Sequence, residues 1–353
     1  MALTINCRAR LVGVLIGGAV GDTLGLPSEG LRPNQIRRRW NGKWKQRFIF
    51  GRGMCSDDTE HSFMVAQALL TEPLDANRFQ RCLAWKLKWW LTGLPAGVGF
   101  ATARAILKLW IGFSLNRSGV CSAGNGPAMR SAIIGAFFAN DPERRQKFVT
   151  AATRITHTDP RAEIAALAVA EAAAWAINGG INAEEFLRRL PDCGQNEEWL
   201  NICRRLTEAY STNESVADFC RSLGLERGVS GYALHTVPVA IYGWLRHPHN
   251  FKMALTQTLE CGGDTDTVGA IVGALAGAST GAGDIPNEWV GGVWEWPRTI
   301  SLMRNLAARL EQQTSRQNPI GPIHYFWPGL IFRNLVFLAA VFLHGLRRLF
   351  PPY

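Results

Sequence analysis

The residues best suited to chemistry lie in the segment 262–267, Gly-Gly-Asp-Thr-Asp-Thr, which an almost entirely small or apolar run follows. A glycine turn that opens onto a helix leaves backbone N–H groups free and places hard oxygen ligands at the helix entrance. Asp264 and Asp266 are close enough to repel each other, and a divalent cation would supply the counter-charge. The segment therefore predicts a metal site at the start of a helix.

A second segment of similar build, Ser56-Asp57-Asp58-Thr59, lies about two hundred residues earlier and also follows glycines. Together the two segments supply four carboxylates and several hydroxyls, enough hard oxygen for two Mg²⁺ or Mn²⁺ ions with water completing the shells. Either segment alone is explained equally well by helix N-capping, because Asp and Thr accept hydrogen bonds from the first N–H groups of helices. Their repetition favours the metal.

Composition indicates a folded protein of closely packed helices. The chain has 353 residues, of which 47% are hydrophobic and 19% charged, and this allows one large domain or two ordinary ones. Lys and Arg outnumber Asp and Glu by 38 to 28, so the charge of +10 favours anionic partners such as nucleotides, phosphates or an acidic membrane surface. The basic residues form no long tract with interleaved aromatics, which argues against nucleic acid as the main ligand.

Cysteine usage and the N-terminus bear on the compartment. The eight cysteines include no C-x-x-C pair and no zinc spacing, so we expect reduced, mostly buried thiols of a cytoplasmic protein. Arg8 and Arg10 precede the apolar run 11–21 and imitate a secretory signal. The motif Gly21-Asp22-Thr23-Leu24-Gly25 at the end of that run favours a helix of the folded domain instead. The reason is given below, with the other motifs.

Hydrophobic spacing predicts an all-α fold with few strands, because runs of alternating Val, Ile and Thr are absent. Glycines four residues apart, at 13, 17 and 21 and again at 269, 273 and 277, predict two central bundle helices that approach a neighbour closely. Segment 32–50 is predicted to be a loop region. Further helices are predicted over 58–70, 79–91, 102–110, 128–139, 161–177, 184–190, 197–210, 215–223, 233–245, 251–259 and 289–310.

The chain divides into a body over 1–311, a polar linker over 312–322 and a hydrophobic, basic-flanked tail over 323–353. The tail contains thirteen residues without charge, 334–346, between Arg333 and the pair Arg347 and Arg348. Such a run is short for a transmembrane helix and fits an interfacial segment better. Packing on the body or on a partner chain is the alternative.

Several motifs together resemble the ADP-ribosylglycohydrolases over roughly residues 10–310. The run 17–25, followed by Pro27 and Glu29, resembles the opening helix of that family, whose mature protein begins with this helix; this argues against a signal peptide. The remaining motifs occur in the order of the family: Ser56-Asp57-Asp58-Thr59, Gly124-Asn125-Gly126, Thr156-His157, Ser230-Gly231-Tyr232 and Gly262-Gly263-Asp264-Thr265-Asp266-Thr267.

The resemblance implies a compact all-α bundle with a binuclear cleft that holds two Mg²⁺ or Mn²⁺ ions. Glu29 and Asp58 would be catalytic, as carboxylates that accept a proton, although the role of Glu29 varies within the family. Ser56 stands where many members have Thr, which keeps the hydroxyl. Carried over to this sequence, the metal ligands would be Ser56, Asp57, Asp58, Asp264, Asp266 and Thr267.

The resemblance also implies substrate-binding residues, and each has a plainer structural explanation. Gly124, Asn125 and Gly126 would present N–H groups to a pyrophosphate, or they form an ordinary helix-entry turn. His157 would contact the nucleotide, or it is a structural hydrogen-bonding residue. Tyr232 would stack on adenine or line the cleft, or it is a core tyrosine.

The expected activity is metal-dependent removal of ADP-ribose from a modified protein side chain by cleavage of an N- or O-glycosidic bond. A non-catalytic ADP-ribose-binding or structural relative is the alternative, but the complete set of carboxylates argues against it. Hydrolysis of another small ADP-ribose derivative is a further alternative. The expected partners are an ADP-ribosylated protein or an ADP-ribose conjugate, with peripheral membrane contact through the tail.

Overall fold

The computed structural model describes residues 7–179 and 182–347. Within these residues the chain is helical, and extended segments pair only as isolated bridges, so the predicted all-α fold is confirmed. Arg348 of the predicted basic flank and both chain ends lie outside the described residues. The helices are α1 Cys7–Gly25, α2 Pro33–Trp40, α3 Asp57–Thr71, α4 Ala76–Thr92, α5 Phe100–Trp110, α6 Leu115–Ser118, α7 Ala132–Phe137, α8 Pro142–Arg154, α9 Pro160–Asn178, α10 Ala183–Arg189, α11 Glu197–Ser211, α12 Val216–Ser222, α13 Ala233–Arg246, α14 Phe251–Leu259, α15 Thr265–Thr280, α16 Asn287–Gly291, α17 Ile300–Thr314 and α18 Gly329–Arg347.

Two glycine-rich helices, α1 and α15, run antiparallel through the centre of the fold. Three glycine pairs face each other along this contact: 13 with 277, 17 with 273, and 21 with 269. A Cβ atom on Gly13 would lie 2.0 Å from the carbonyl oxygen of Gly277, and one on Gly21 would lie 1.9 Å from that of Gly269. Only glycine allows this approach. The prediction of two central helices is confirmed, and the close neighbour of each helix is the other one.

The other long helices pack around this pair. Helices α3, α7 and α17 contact α1, while α9, α13 and α14 contact α15. All nine alanines of α9 are buried, which lets this helix approach its neighbours closely. Four tryptophans are fully buried in the same continuous core, at positions 40, 199, 244 and 289.

The structure differs from the predicted local structure in four places. The predicted loop 32–50 contains α2, which begins at Pro33 and buries only Ile36 and Trp40, a short apolar stripe in a polar segment. The predicted helix 289–310 is two helices, α16 and α17, separated by residues 292–299. The predicted helix 128–139 is a 3₁₀ turn followed by α7. Helix α8 was missed, although Asp141 caps it and proline opens it.

The end of the described chain lies against the body. Helix α17 ends at Thr314, and the connection to α18 is held by Gln67, whose side chain bonds both the N–H and the carbonyl of Ile323 at 2.8 Å. By length and composition, the segments Arg8–Ser28 and Gly329–Arg347 could each cross a membrane. The segment Arg8–Ser28 is entirely buried in the protein, whereas only a third of the segment Gly329–Arg347 is buried. With 19 residues, α18 is longer than the uncharged run within it.

Candidate functional site

Asp22, at the end of α1, holds the start of α3. Its fully buried carboxylate accepts hydrogen bonds from the N–H of Ser56 at 2.9 Å, the N–H of Thr59 at 3.2 Å and the hydroxyl of Thr59 at 2.5 Å. Burial raises the pKa of Asp22 to about 7, although these hydrogen bonds act in the opposite direction. Asp22 therefore caps α3 and fixes the first acidic segment at one end of the central helix pair.

The start of α15 lies at the same end, so the two acidic segments meet. The hydroxyl of Thr265 donates to the carbonyl of Gly25 at 2.9 Å, which ties α15 to the last turn of α1. The Asp58 Oδ2 atom accepts from the Ser56 hydroxyl at 2.9 Å and from the Thr267 hydroxyl at 3.3 Å. Asp58 thus joins residues from both segments, and two helix N-termini, which favour negative charge, converge on one place.

The carboxylates of this cluster differ in burial. Asp58 and Asp266 are 1% and 6% exposed, whereas Asp57 and Asp264 are half-buried. Burial, followed by the charges of neighbouring carboxylates, raises the pKa of Asp57, Asp58 and Asp266 well above the ordinary value. Within the described part of the chain, the Oδ1 atoms of Asp58 and Asp266 have no hydrogen-bond partner. A cluster of this kind requires protons or a cation for neutralisation.

The donor set fits a hard divalent cation. Buried carboxylate oxygens without partners and the hydroxyls of Ser56 and Thr267 are ligands of the type that Mg²⁺ and Mn²⁺ prefer. As the side chains stand, no three His, Cys, Asp or Glu residues in 7–179 and 182–347 are arranged around one ion position. The binuclear cleft therefore stays a prediction.

A short loop brings Glu29 to the rim of this cluster. The N–H of Gly30 donates to the carbonyl of Gly263 at 2.7 Å, and the N–H of Gly263 donates to the carbonyl of Leu31 at 2.8 Å. Glu29 is exposed, and its charge contributes to the raised pKa of Asp266. Gly263 has φ +81°, and a Cβ there would lie 1.9 Å from the carbonyl oxygen of Val229, so the turn requires glycine.

The loop 124–126 reaches the same cluster through a side chain. The Asn125 amide donates to Asp264 Oδ2 at 2.6 Å and to the Thr236 hydroxyl at 3.0 Å. The backbone N–H of Asn125 bonds the carbonyl of Gly231, and that of Gly124 bonds the Ser122 hydroxyl. The loop leads into a 3₁₀ turn over 128–130, so these two N–H groups serve the protein itself and do not form the entrance of a long helix.

His157 packs against this glycine loop. A Cβ on Gly124 or on Gly126 would lie 3.2 Å from an atom of the imidazole ring, which explains both glycines. Burial and the charge of Arg130 lower the pKa of His157 to about 3, so the ring is neutral. Its Nδ1 atom pairs with the Thr156 hydroxyl at 2.9 Å, and that hydroxyl also accepts from Arg130 at 2.6 Å. These contacts give His157 a positioning role for the loop.

Tyr232 is half-buried at the start of α13 and is not a core residue. Its hydroxyl donates to Glu198 at 2.8 Å and accepts from Arg161 at 3.4 Å, while its ring meets His235 edge-on. The backbone of Tyr232 forms a bridge with Gly124. The predicted residues therefore form a carboxylate cluster with Asn125 beside it, and His157 and Tyr232 flank the loop that contains Asn125.

A buried ion network that the sequence did not predict lies beneath α3. Arg298 donates to Glu60 at 2.8 Å, and the Trp90 indole donates to the other oxygen of Glu60 at 2.6 Å. Glu295 accepts from the N–H of Cys55 at 2.7 Å, while Arg333 of α18 donates to Glu295 and to the carbonyl of Cys55. Cys55 directly precedes the first acidic segment. These residues are distant in sequence, so no local spacing could have indicated them.

Comparisons with known proteins point to one family. A family model described as ADP-ribosylglycohydrolase matches residues 3–319. An uncharacterized protein of Archaeoglobus fulgidus is 31% identical over 307 residues, which cover 84% of this chain and 94% of the relative. The ADP-ribosyl-dinitrogen reductase glycohydrolase of Rhodospirillum rubrum is 29% identical over 290 residues, 80% of this chain and 89% of that protein. A solved structure titled ADP-ribosylglycohydrolase-related protein complex has a TM-score of 0.63 and 26% identity, covering 87% of this chain and 99% of that one.

Proposed function

Because this chain belongs to the ADP-ribosylglycohydrolase family, we propose that it is a metal-dependent hydrolase that removes ADP-ribose from a modified protein side chain. Membership supports a glycohydrolase that acts on ADP-ribose conjugates. The name of the Rhodospirillum rubrum relative refers to ADP-ribosyl-dinitrogen reductase, which supports a protein conjugate. Cleavage of an N- or O-glycosidic bond at the ribose is the reaction that fits such a substrate.

One observation carries the proposal: the two acidic helix starts meet at Asp58. The hydroxyls of Ser56 and Thr267, which are 211 residues apart in sequence, both donate to the same carboxylate oxygen. Capping alone explains each segment separately, but it does not require the segments to converge. Convergence with buried carboxylate oxygens that lack partners supports a shared cation site.

We assign two Mg²⁺ or Mn²⁺ ions to this cluster. When bound, the ions would supply Lewis-acid chemistry, which polarises the ribose hydroxyls and makes a water molecule a better nucleophile. The residues that would hold them are the four carboxylates of the two acidic segments and two hydroxyls: Ser56, Asp57, Asp58, Asp264, Asp266 and Thr267.

Two carboxylates were candidates for accepting a proton, and their surroundings separate them. Asp58 is buried and already accepts hydrogen bonds from two hydroxyls, which suits a ligand. Glu29 is exposed at the rim beside Asp266, where a substrate and water can reach it. We therefore assign proton transfer to Glu29 and ligation to Asp58. The amide of Asn125 holds one oxygen of Asp264 and so orients that carboxylate.

The nucleotide end of the substrate would lie along the loop 124–126 and Tyr232. The half-buried ring of Tyr232 offers a surface on which adenine can stack, and Arg161, whose guanidinium lies 5.7 Å from that ring, can pair with phosphate. His157 supports the loop from behind.

The test is release of ADP-ribose from mono-ADP-ribosylated protein in the presence of Mg²⁺ or Mn²⁺, with arginine-, serine- and DNA-linked conjugates assayed separately. We expect release from at least one protein linkage and a loss of at least about a hundredfold in rate for Asp57→Asn and Asp264→Asn. Asp192→Asn, at an exposed aspartate of a 3₁₀ turn, is the matched control and should keep the rate.

The outcomes separate the alternatives. Binding of ADP-ribose measured by calorimetry, without release from any conjugate, would indicate a non-catalytic relative of the same fold. Release only from small ADP-ribose derivatives would move the activity to that substrate class. No dependence of the rate on Mg²⁺ or Mn²⁺ would remove the ions from the proposal.

A further inference from the structure

Helix α18 exposes a large apolar face. Its buried side packs Leu330, Phe337 and Ala340 on the body, while the opposite side shows Phe332 and Phe342 at 68% and 66% exposure. Leu335 and Leu338 continue this face at helical spacing and are half exposed. An uninterrupted row of large apolar side chains on a surface helix indicates a binding site for an apolar partner, either a protein or a membrane.

The apolar face continues into a cluster of tryptophans. Trp327, just before α18, contacts the Trp89 ring at 6.0 Å, and Trp89 contacts Trp110 at 5.9 Å. Lys88 lies 4.3 Å from the centre of the Trp110 ring. Elsewhere the surface differs: in the described part of residues 114–293, the only exposed large hydrophobic side chain is Met253.

The acidic residues that contact α18, Glu60 and Glu295, are buried beneath it and are not part of the exposed surface. Stretches 30–56, 76–113 and 312–347 hold 17 of the 38 Lys and Arg residues and none of the 28 Asp and Glu residues. Their contacts with α18 are direct: Phe48 stacks on His344 with ring centroids 5.0 Å apart, and Asn334 donates to the carbonyl of Gly93 at 2.7 Å. An apolar, aromatic face with basic and no acidic surroundings complements an anionic, apolar partner.

We propose that this side of the molecule, with the exposed face of α18 at its centre, docks onto an anionic lipid surface. The helix lies along the surface and does not span the bilayer, because Arg333 and Asn334 fix its inner side to the body. Tryptophan rings at the edge of the apolar face suit the headgroup region, where Trp is enriched. Helix α18 lies beyond residue 319, outside the part of the chain that the family model matches.

A second copy of the chain is the competing occupant, and charge argues against it. In a two-fold dimer the same patch faces itself, so the basic residues around α18 would face their own counterparts without any carboxylate from these segments between them. A membrane that contains phosphatidylserine presents the opposite charge to the same residues.

The experiment is flotation of the full-length protein with phosphatidylcholine vesicles, with and without 30 mol% phosphatidylserine. We expect phosphatidylserine to raise the bound fraction at least about tenfold, because each basic residue near an anionic surface contributes roughly fivefold to binding. The double variant Phe332→Glu/Phe342→Glu should lower binding at least about tenfold. Lys45→Glu/Lys88→Glu should remove the preference for phosphatidylserine while leaving weak binding to both vesicles.

Helix α14 supplies the matched controls, since Lys252 and Met253 are exposed there. The variants Met253→Glu and Lys252→Glu should bind within about twofold of the unaltered protein. Failure of the full-length protein to bind either vesicle would overturn the proposal, and so would equal losses in the α18 and α14 variants. A dimer seen by light scattering that Phe332→Glu/Phe342→Glu dissociates would assign the face to a second copy instead.

Discussion

At the scale of single residues, the site is defined by groups that folding buries at a cost. Asp58 and Asp266 are carboxylates with a partnerless oxygen, and His157 is a neutral imidazole beside a buried arginine. Buried polar groups without partners mark functional sites because the fold gains nothing from them alone. Substitution of Asp266 or of His157 should therefore change the free energy of unfolding measurably.

Asp266→Asn should stabilise the metal-free protein and abolish stabilisation by metal. Burial and neighbouring carboxylates oppose ionisation of Asp266, and removing that opposition is worth on the order of 1–3 kcal/mol in the free energy of unfolding. The measurement is thermal unfolding in EDTA and in Mn²⁺, with Asp192→Asn as control. A rise in Tm with Mn²⁺ that persists in Asp266→Asn would place the ion elsewhere.

His157→Asn should flatten the acid side of the pH–stability curve. The pKa of His157 is about 3 in the folded protein and near 6.5 when unfolded, so only the unfolded chain takes up this proton in between. Stability from His157 is therefore complete above pH 6.5 and is lost as pH falls towards 3, by about 1.4 kcal/mol per pH unit. Urea unfolding at pH 7, 6 and 5 measures the slope. Equal slopes in both proteins would contradict the burial of a neutral His157.

At the scale of elements, the glycine contact between α1 and α15 positions the whole cluster. This contact continues to the pair of Gly25 and Thr265, and the acidic segments lie directly beyond it. Any widening between the two helices would therefore separate Asp58 from Thr267. These helices could be predicted from the sequence because glycines spaced four residues apart form a local pattern.

Gly17→Ala should destabilise the protein by about 2 kcal/mol or more, because the new methyl group would lie 2.3 Å from the carbonyl oxygen of Gly273. Gly18→Ala is the control on the next residue of the same helix. Its methyl group would lie 3.4 Å from the nearest atom, and alanine favours the helix by up to about 1 kcal/mol. Chemical denaturation compares the two variants, and equal stabilities would show that the helices can separate without cost.

At the scale of the whole molecule, α18 ties the end of the chain to the site. Arg333 donates to Glu295 and to the carbonyl of Cys55, and both arginine and glutamate side chains are 5% exposed. Arg333 of α18 thus contacts Cys55, which lies two residues before Asp57, a proposed metal ligand. The proposed docking helix and the proposed metal site are therefore connected through the same buried ion pairs.

Arg333→Met should lower the free energy of unfolding by about 3–5 kcal/mol, because Glu295 would be left buried without its cation. Adding Glu295→Gln should recover part of this loss, since the unpaired charge is then removed. Urea unfolding of both variants measures the difference, and limited proteolysis between 315 and 328 reports release of α18. Additive losses in the double variant would show that the two residues do not act as a pair.

The sequence was informative where the chemistry is local and silent where it is not. The glycine helices and the helix starts at the two acidic segments depend on neighbouring residues, and these predictions agree with the described structure. The ion network around Glu60 joins residues separated by more than two hundred positions, so no window of sequence contains it. The Asn125 contact with Asp264 joins residues 139 positions apart, so local sequence does not indicate it either.

The pairing of α1 with α15 also sets the order of events during synthesis. Gly13 emerges from the ribosome 264 residues before its partner Gly277, an interval of about 13–50 seconds at ordinary elongation rates. Until then α1 lacks the helix on which its glycines pack, and the first acidic segment lacks the second one. The central helix pair and the cluster of acidic residues at its end can therefore form only after most of the chain has been synthesised.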